Sequence, residues 1–248
     1  RKISWVHIDL NETIGACCYE NDFKKIDEIV FVSRDAEKGF LKKFPDLKET
    51  KKTVIYNMLE INKIISESKS PLDIKKEKYT LIAVGSLTQQ KRLDRLLQAH
   101  KYLIEDNLDI ELWILGTGSE EEKLKQMALD FKTDKNVIFL GYKSNPYKYV
   151  RNADMYIMSS DFEGLPLVVG EAMVLDKPIV STNCTGPAEL LDYGEYGLVV
   201  DKNAKSLAMG INNLIQDKEL QQSFISKLQE RKKIFDTKTI IKQIEAII

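Results

Sequence analysis

In the stretch FEGLPLVVGEAM (162–173), Glu163 and Glu171 stand eight positions apart, with a Gly, a Pro and an apolar run between them. The preceding run DMYIMSS (154–160) reads as a buried strand, so Asp161 to Leu165 form the loop at its carboxyl end, and Pro166 suits the first helical position. Ligands of open α/β sheets bind at that edge. A helix N-terminus offers unpaired amides and the positive end of the helix dipole, and Gly164 lets an anion approach the backbone. A phosphate therefore fits against Gly164 and Leu165, with Glu163 where a sugar attached to it would lie. Glu171 falls more than a turn deeper, among Val168, Val169, Ala172, Met173 and Val174. A buried carboxylate is costly unless paired or hydrogen-bonded, and the hydroxyls of a ribose would serve. The competing reading is a surface helix with incidental glutamates.

Other residues converge on the same edge. Lys91 and Arg92, in GSLTQQKR (85–92), follow another strand and could neutralise a diphosphate; a solvated helix start is the alternative. CTGPAE (184–189) follows a further strand and offers Thr185, Gly186 and backbone amides. His7 sits near the end of a strand in SWVHIDL, where a lone His is more often structural. His100, in a helix of alternating polarity, reads as solvent-facing. GTGSEE (116–121) begins like the dinucleotide fingerprint G-x-G-x-x-G, but Glu121 replaces the third Gly. Glu120, Glu121 and Glu122 already satisfy the helix dipole and would repel a pyrophosphate, and Ser119 with Glu122 reads as a capping box. That loop is expected to be structural, which disfavours a nicotinamide dehydrogenase.

The elements that must position these residues alternate strand and helix. Strands are expected at 2–10, 27–33, 51–57, 79–86, 110–118, 136–142, 154–160, 178–183 and 197–201, with helices between them and a helical end from about 204. A polar stretch of Lys, Ser and Pro near 62–78 reads as a linker. The pattern implies a doubly wound, parallel α/β sheet. Residues 79–201 supply about six strands, a complete Rossmann-like domain, whereas 1–57 supply about three and look like the tail of a second α/β domain.

Composition agrees. The chain has 248 residues, 43% of them apolar, and a formal net charge of −1, so nothing global draws it to nucleic acid or an anionic membrane. No apolar run approaches the roughly 20 residues of a membrane-spanning helix. It begins at Arg1 without a Met, as a processed product or fragment would. Cys17 and Cys18 are adjacent and Cys184 is remote, which favours reduced thiols over a disulfide framework.

Taken in order, VGSLTQQKRLDRLLQA, NVIFLGY and ADMYIMSSDFEGLPLVVGEAMVLDKPIVSTNCTGPAELL resemble the retaining glycosyltransferases of GT-B fold, particularly glycosyltransferase family 4, with E-G-L-P-L-V-V-G-E as the E-x7-E signature. The resemblance covers most of 79–201 and, more loosely, the rest. It implies two Rossmann-like domains facing a cleft: 1–60 as the tail of an acceptor domain, 61–78 as a linker, 79–225 as the nucleotide-sugar domain, and 226–248 as a helix returning to the first. By resemblance, Glu163 contacts the donor sugar, Glu171 the ribose and Lys91 the diphosphate, with backbone contacts from Gly164, Leu165, Pro166 and Leu167. His7 would line the donor sugar, and Ser86, Arg92, Tyr142, Thr185 and Gly186 complete the donor surface. Ser86 stands where the family often has Arg, so the diphosphate would lean on Lys91.

The implied chemistry is metal-independent and needs no cofactor. A sugar passes from a nucleoside diphosphate to a glycan or lipid-linked acceptor, in cell-surface polysaccharide or glycolipid assembly, without nucleic acid. Asp161-Phe162-Glu163 looks like a metal-binding D-x-D, but metal-dependent glycosyltransferases do not set that motif before such a helix. A cytoplasmic site follows, with peripheral membrane association through the N-terminal domain as an option. Alternatives are a GT-B epimerase or hydrolase, or a non-catalytic nucleotide-sugar-binding domain. A chain lacking the first half of the N-terminal domain would bind donor without turnover.

Overall fold

The computed structural model describes residues 1–7 and 20–248. Residues 8–10 of the first expected strand, and Cys17 and Cys18, lie outside the described residues. The elements run β1 (Ile3–Val6), α1 (Glu20–Phe23), β2 (Glu28–Phe31), α2 (Arg34–Lys43), β3 (Lys51–Val54), α3 (Ile61–Ser68), β4 (Tyr79–Val84), α4 (Leu93–Glu105), β5 (Ile110–Leu115) and α5 (Glu121–Asp130). They continue as β6 (Val137–Gly141), α6 (Tyr147–Asn152), β7 (Met155–Met158), α7 (Leu167–Val174), β8 (Ile179–Thr182), α8 (Thr185–Leu190), β9 (Leu198–Val200), α9 (Ala204–Gln216), α10 (Lys218–Arg231) and α11 (Thr237–Glu245).

Among the described residues all strand pairs are parallel. Strands β1-β2-β3 form one sheet and β6-β5-β4-β7-β8-β9 the other. In the larger sheet the order reverses between β4 and β7, which is where such folds hold ligands. Helices on both faces bury strands such as IELWIL of β5 throughout, which is why they are apolar runs rather than alternating ones. One core layer gathers Tyr156, Val169, Met173 and Leu228; the opposite one gathers Leu96, Leu112, Ile157 and Leu207.

The smaller sheet has its own layer around Phe31, Phe40 and Phe44. On its other face Ile240 and Ile247 of the C-terminal segment meet Val30 and Ile55. Phe235 and Leu59 also meet over α7, where any side chain at Gly170 would lie 2.9 Å from each of them.

Three local expectations are corrected. The stretch read as a linker opens with α3, because Ile61, Ile64 and Ile65 recur at helical spacing and pack into the core beneath the polar residues. Its continuation is anchored by Asp73, which accepts from the buried Tyr149 hydroxyl at 2.5 Å. Helix α7 begins one residue late: Pro166 has an extended ψ of 111° and stands at the N-cap, so Leu167 is the first helical residue. Ser119 caps nothing, since Glu120 occupies the N-cap of α5 without a side-chain bond.

Candidate functional site

The switch point is flanked by two loops, one after β4 and one after β7. In the first, Gly85 has φ 152°, a conformation that favours glycine, and the Lys91 side chain runs alongside it, 3.5 Å from where a Cβ would stand. In the second, Glu163 points back across the gap. Lys91 Nζ donates to Glu163 Oε1 at 2.7 Å, and Ser160 Oγ donates to the same oxygen at 2.7 Å. Both side chains are largely covered, at 18% and 9% exposure, so the pair is shielded from bulk solvent. Ser86 is exposed beside Lys91, and the two line a small recess with Ser159 and Ser160.

Glu171 lies on the inner side of α7, half-buried, and accepts from the Tyr147 hydroxyl of α6 at 3.2 Å. Burial pushes its carboxyl above the ordinary value, against the Tyr147 bond, which lowers it. Burial and the Glu171 charge together raise Tyr147 to about 12. The fully buried Tyr156 hydroxyl, which donates to Val84 O, is raised by burial first, then by the charges of Glu171 and Glu163. The charges of both carboxylates are thus felt at one buried phenol.

Between them the N-terminus of α7 has no side-chain cap, because Pro166 stands at the N-cap. Leu165 is buried and Leu167 exposed. Leu167 faces a cavity of about 450 Å³ that it shares with Trp5, His7, Tyr56 and Ile240. His7 is exposed and stacks on Trp5, with ring centroids 6.3 Å apart, so the smaller sheet presents an imidazole toward the start of α7.

Other expected residues fall elsewhere. Arg92 does not lie free for a diphosphate. It adopts a left-handed backbone, φ 49° and ψ 43°, and its guanidinium is spent on Asp94 and Asp161 at 3.0 Å. Asp161 and Glu163 therefore have separate cationic partners, the arginines for one and Lys91 for the other. Tyr142, 77% exposed, follows β6 at the same edge without closing on the pair. Gly186 is a packing residue: a Cβ there would stand 1.7 Å from Gly164 O, so this glycine lets the first turn of α8 pack against the loop after β7. Thr185 is half-buried beside it. The glycines of the decoy GTGSEE are likewise structural, because a Cβ on Gly116 would strike Gly85 O at 1.9 Å and one on Gly118 would strike Leu87 O at 2.3 Å.

One residue the sequence did not single out is Glu189. It is 4% exposed, and its carboxylate accepts from the amides of Arg34 at 2.7 Å and Asp35 at 2.8 Å and from the Tyr56 hydroxyl at 2.8 Å. A buried carboxylate of the larger unit thus caps the first turn of α2 in the smaller one. His100 is also corrected: it is fully buried, and neither ring nitrogen finds a hydrogen-bond partner among the described residues. Among the described residues no helix is long and apolar enough to cross a membrane.

Two parallel α/β sheets with a loop edge of this kind are the architecture of GT-B glycosyltransferases. Anabaena HepE, solved in complex with UDP, superposes with a TM-score of 0.81 at 19% identity, covering 99% of this chain and 71% of that one. The chain belongs to the glycosyl transferases group 1 family, whose profile matches residues 64–231. An uncharacterised glycosyltransferase of Methanocaldococcus jannaschii is 30% identical over 93% of this chain and 65% of its own length. The N-acetylgalactosamine-N,N'-diacetylbacillosaminyl-diphospho-undecaprenol 4-alpha-N-acetylgalactosaminyltransferase of Campylobacter jejuni is 28% identical over 74% of this chain and 49% of its own. The chain thus spans between about half and two thirds of the length of these two curated relatives.

Proposed function

We propose that the chain is the donor-binding part of a retaining glycosyltransferase of the family 4 type, acting on a nucleoside diphosphate sugar without a metal. The observation that carries this reading is the Lys91–Glu163 pair across the sheet's switch point. A cation there meets a diphosphate and a carboxylate beside it meets sugar hydroxyls. In this reading the leaving diphosphate is stabilised by Lys91 and by the uncapped amides at the start of α7, charges and dipoles already in place before bond cleavage. Glu163 and His7 face the sugar, and Glu171 takes the ribose hydroxyls. UDP in the Anabaena structure and the undecaprenol-linked substrate in the Campylobacter enzyme's name support a nucleotide-sugar donor and a lipid-linked or glycan acceptor. The whole protein would then act in cell-surface polysaccharide or glycolipid assembly, in the cytoplasm and at the membrane surface.

The test is calorimetric titration of the full-length protein with UDP and with a panel of UDP- and GDP-sugars, followed by transfer of radiolabelled sugar and analysis of the product anomer. Binding of one conjugate, and transfer with the donor's anomeric configuration kept, is expected. An inverted product, or release of nucleotide with sugar passed only to water or epimerised, would overturn it.

A further inference from the structure

We propose that Asp161 is a positioning residue of this site: its carboxylate, shared by Arg92 and Arg95, sets the loop carrying Glu163 against the loop carrying Lys91. The inference rests on the donor-site reading above. Asp161 stands two residues before Glu163, and Arg92 directly follows Lys91. Arg92 Nη1 donates to Asp161 Oδ2 at 3.0 Å, and Arg95 Nη2 donates to Asp161 Oδ1. Arg95 rises from the first turn of α4 with its side chain 6% exposed, and its Nη1 donates to Ser159 O at 2.8 Å. One buried guanidinium therefore grips the β7 loop at both main chain and side chain.

Further bonds run between the same two loops. Asp161 N donates to Gln90 O at 3.0 Å, Ser159 Oγ to Lys91 O at 2.8 Å, and Gln90 Nε2 to Phe162 O at 2.8 Å. Asp161 is the charged centre of this lacing. Burial raises its carboxyl, but the bonds from Arg95 and Arg92 outweigh that and hold it ionised. Arg92, which it pairs, has a left-handed backbone, a conformation costly for a residue with a side chain. The geometry explains an acidic residue at this place in D-x-E without a metal: it fixes the distance between a cation for the diphosphate and a carboxylate for the sugar. Misplacement by about 1 Å costs on the order of 100-fold in rate.

Two measurements test this. In the ligand-free full-length protein, Lys91→Ala, Glu163→Gln and the double variant are unfolded in urea, in wild-type and Asp161→Asn backgrounds. Non-additivity on the order of fivefold in the unfolding constant is expected in the wild type and none in Asp161→Asn, with Asp161→Glu restoring it. With donor, Asp161→Asn should bind UDP within about twofold of wild type while kcat at saturating donor falls at least tenfold. If Asp161→Asn does not fold, Arg92→Gln takes its place, since it leaves Asp161 paired with Arg95. Unchanged coupling in the variant, or UDP binding and kcat reduced in equal proportion, overturns the positioning role. A wild type that binds no nucleotide overturns the donor-site reading, whereas the ligand-free coupling reports on Asp161 by itself.

Discussion

Lys91 Nζ lies 2.7 Å from Glu163 Oε1, with β4 and β7 as the adjacent strands that bring them together. The ligand-free site thus holds its cation already neutralised. A diphosphate must compete with Glu163 for Lys91, and the displaced carboxylate is then available to sugar hydroxyls.

This exchange separates the two residues in binding. Lys91→Ala should weaken nucleoside diphosphate binding by about 1.5–3 kcal/mol, the worth of one charge-assisted contact, and leave nucleoside binding nearly unchanged. Glu163→Gln should spare or improve nucleoside diphosphate binding, because it releases Lys91, while weakening the sugar conjugate. Titration of both variants with UDP and its sugar conjugate checks this; equal losses for the two ligands in Glu163→Gln would contradict it.

Glu171 should behave differently. Glu171→Gln is expected to weaken every nucleotide ligand, with or without sugar. The ionised carboxylate accepts hydroxyls best, and burial has raised its pKa from 4.5. Affinity should therefore fall as pH drops through that raised value, at a higher pH than an exposed glutamate would give. Tyr147→Phe removes the bond that lowers the pKa and should move this acid limb upward. Calorimetry across pH shows it, and an acid limb that persists in Glu171→Gln would assign the titration elsewhere.

Much of this was legible in the sequence because it is local. A buried strand, a Gly-Pro loop and an apolar helix fix where Glu163 and Glu171 stand, and the strand-helix alternation fixes a parallel sheet. What escaped depends on side-chain direction or distant partners. Arg92 reads as a free cation until its left-handed backbone turns it onto Asp161. Glu189 looks like an ordinary helix glutamate because its partners are 155 and 154 positions earlier in the chain. In 62–78 the lysines and serines hid the isoleucine stripe of α3.

Gly186→Ala should injure the site without touching a ligand. Its methyl group would meet Gly164 O at 1.7 Å, so the loop before α7 must move. A lower melting temperature together with weaker UDP binding is expected. Unchanged values for both would show that the loops yield freely.

Glu189 joins the two units through three charge-assisted bonds. Glu189→Gln keeps the shape but turns an amide toward the α2 amides, and should cost about 1.5–3 kcal/mol of stability. Tyr56→Phe removes one of these donors and should cost about 1.5 kcal/mol, the low end of the same range. Urea unfolding followed at Trp5, in the smaller unit, should respond to both variants; no response would place the junction's stability elsewhere.

His100 makes the fold sensitive to mild acid. Its imidazole is buried in α4, and burial, with some repulsion from Lys78, lowers its pKa from 6.5 to about 4. Above pH 6.5 the ring is neutral in folded and unfolded chains alike, and no stability is lost. Between 6.5 and about 4 the unfolded chain binds a proton that the folded one refuses, so stability falls as pH falls. Below about 4 both states are protonated and the loss is complete, at about 3 kcal/mol for the full shift. Asp94 and Asp161, whose pKa values are lowered by their arginine partners against the pull of burial, add their own losses only at lower pH. His100→Phe keeps an apolar ring and cannot titrate. Urea unfolding at pH 7, 5.5, 4.5 and 3.5 should therefore show wild type losing stability, down to about pH 4, that the variant keeps. The two curves should run parallel below about pH 4, and curves parallel throughout would mean that His100 is protonated without cost.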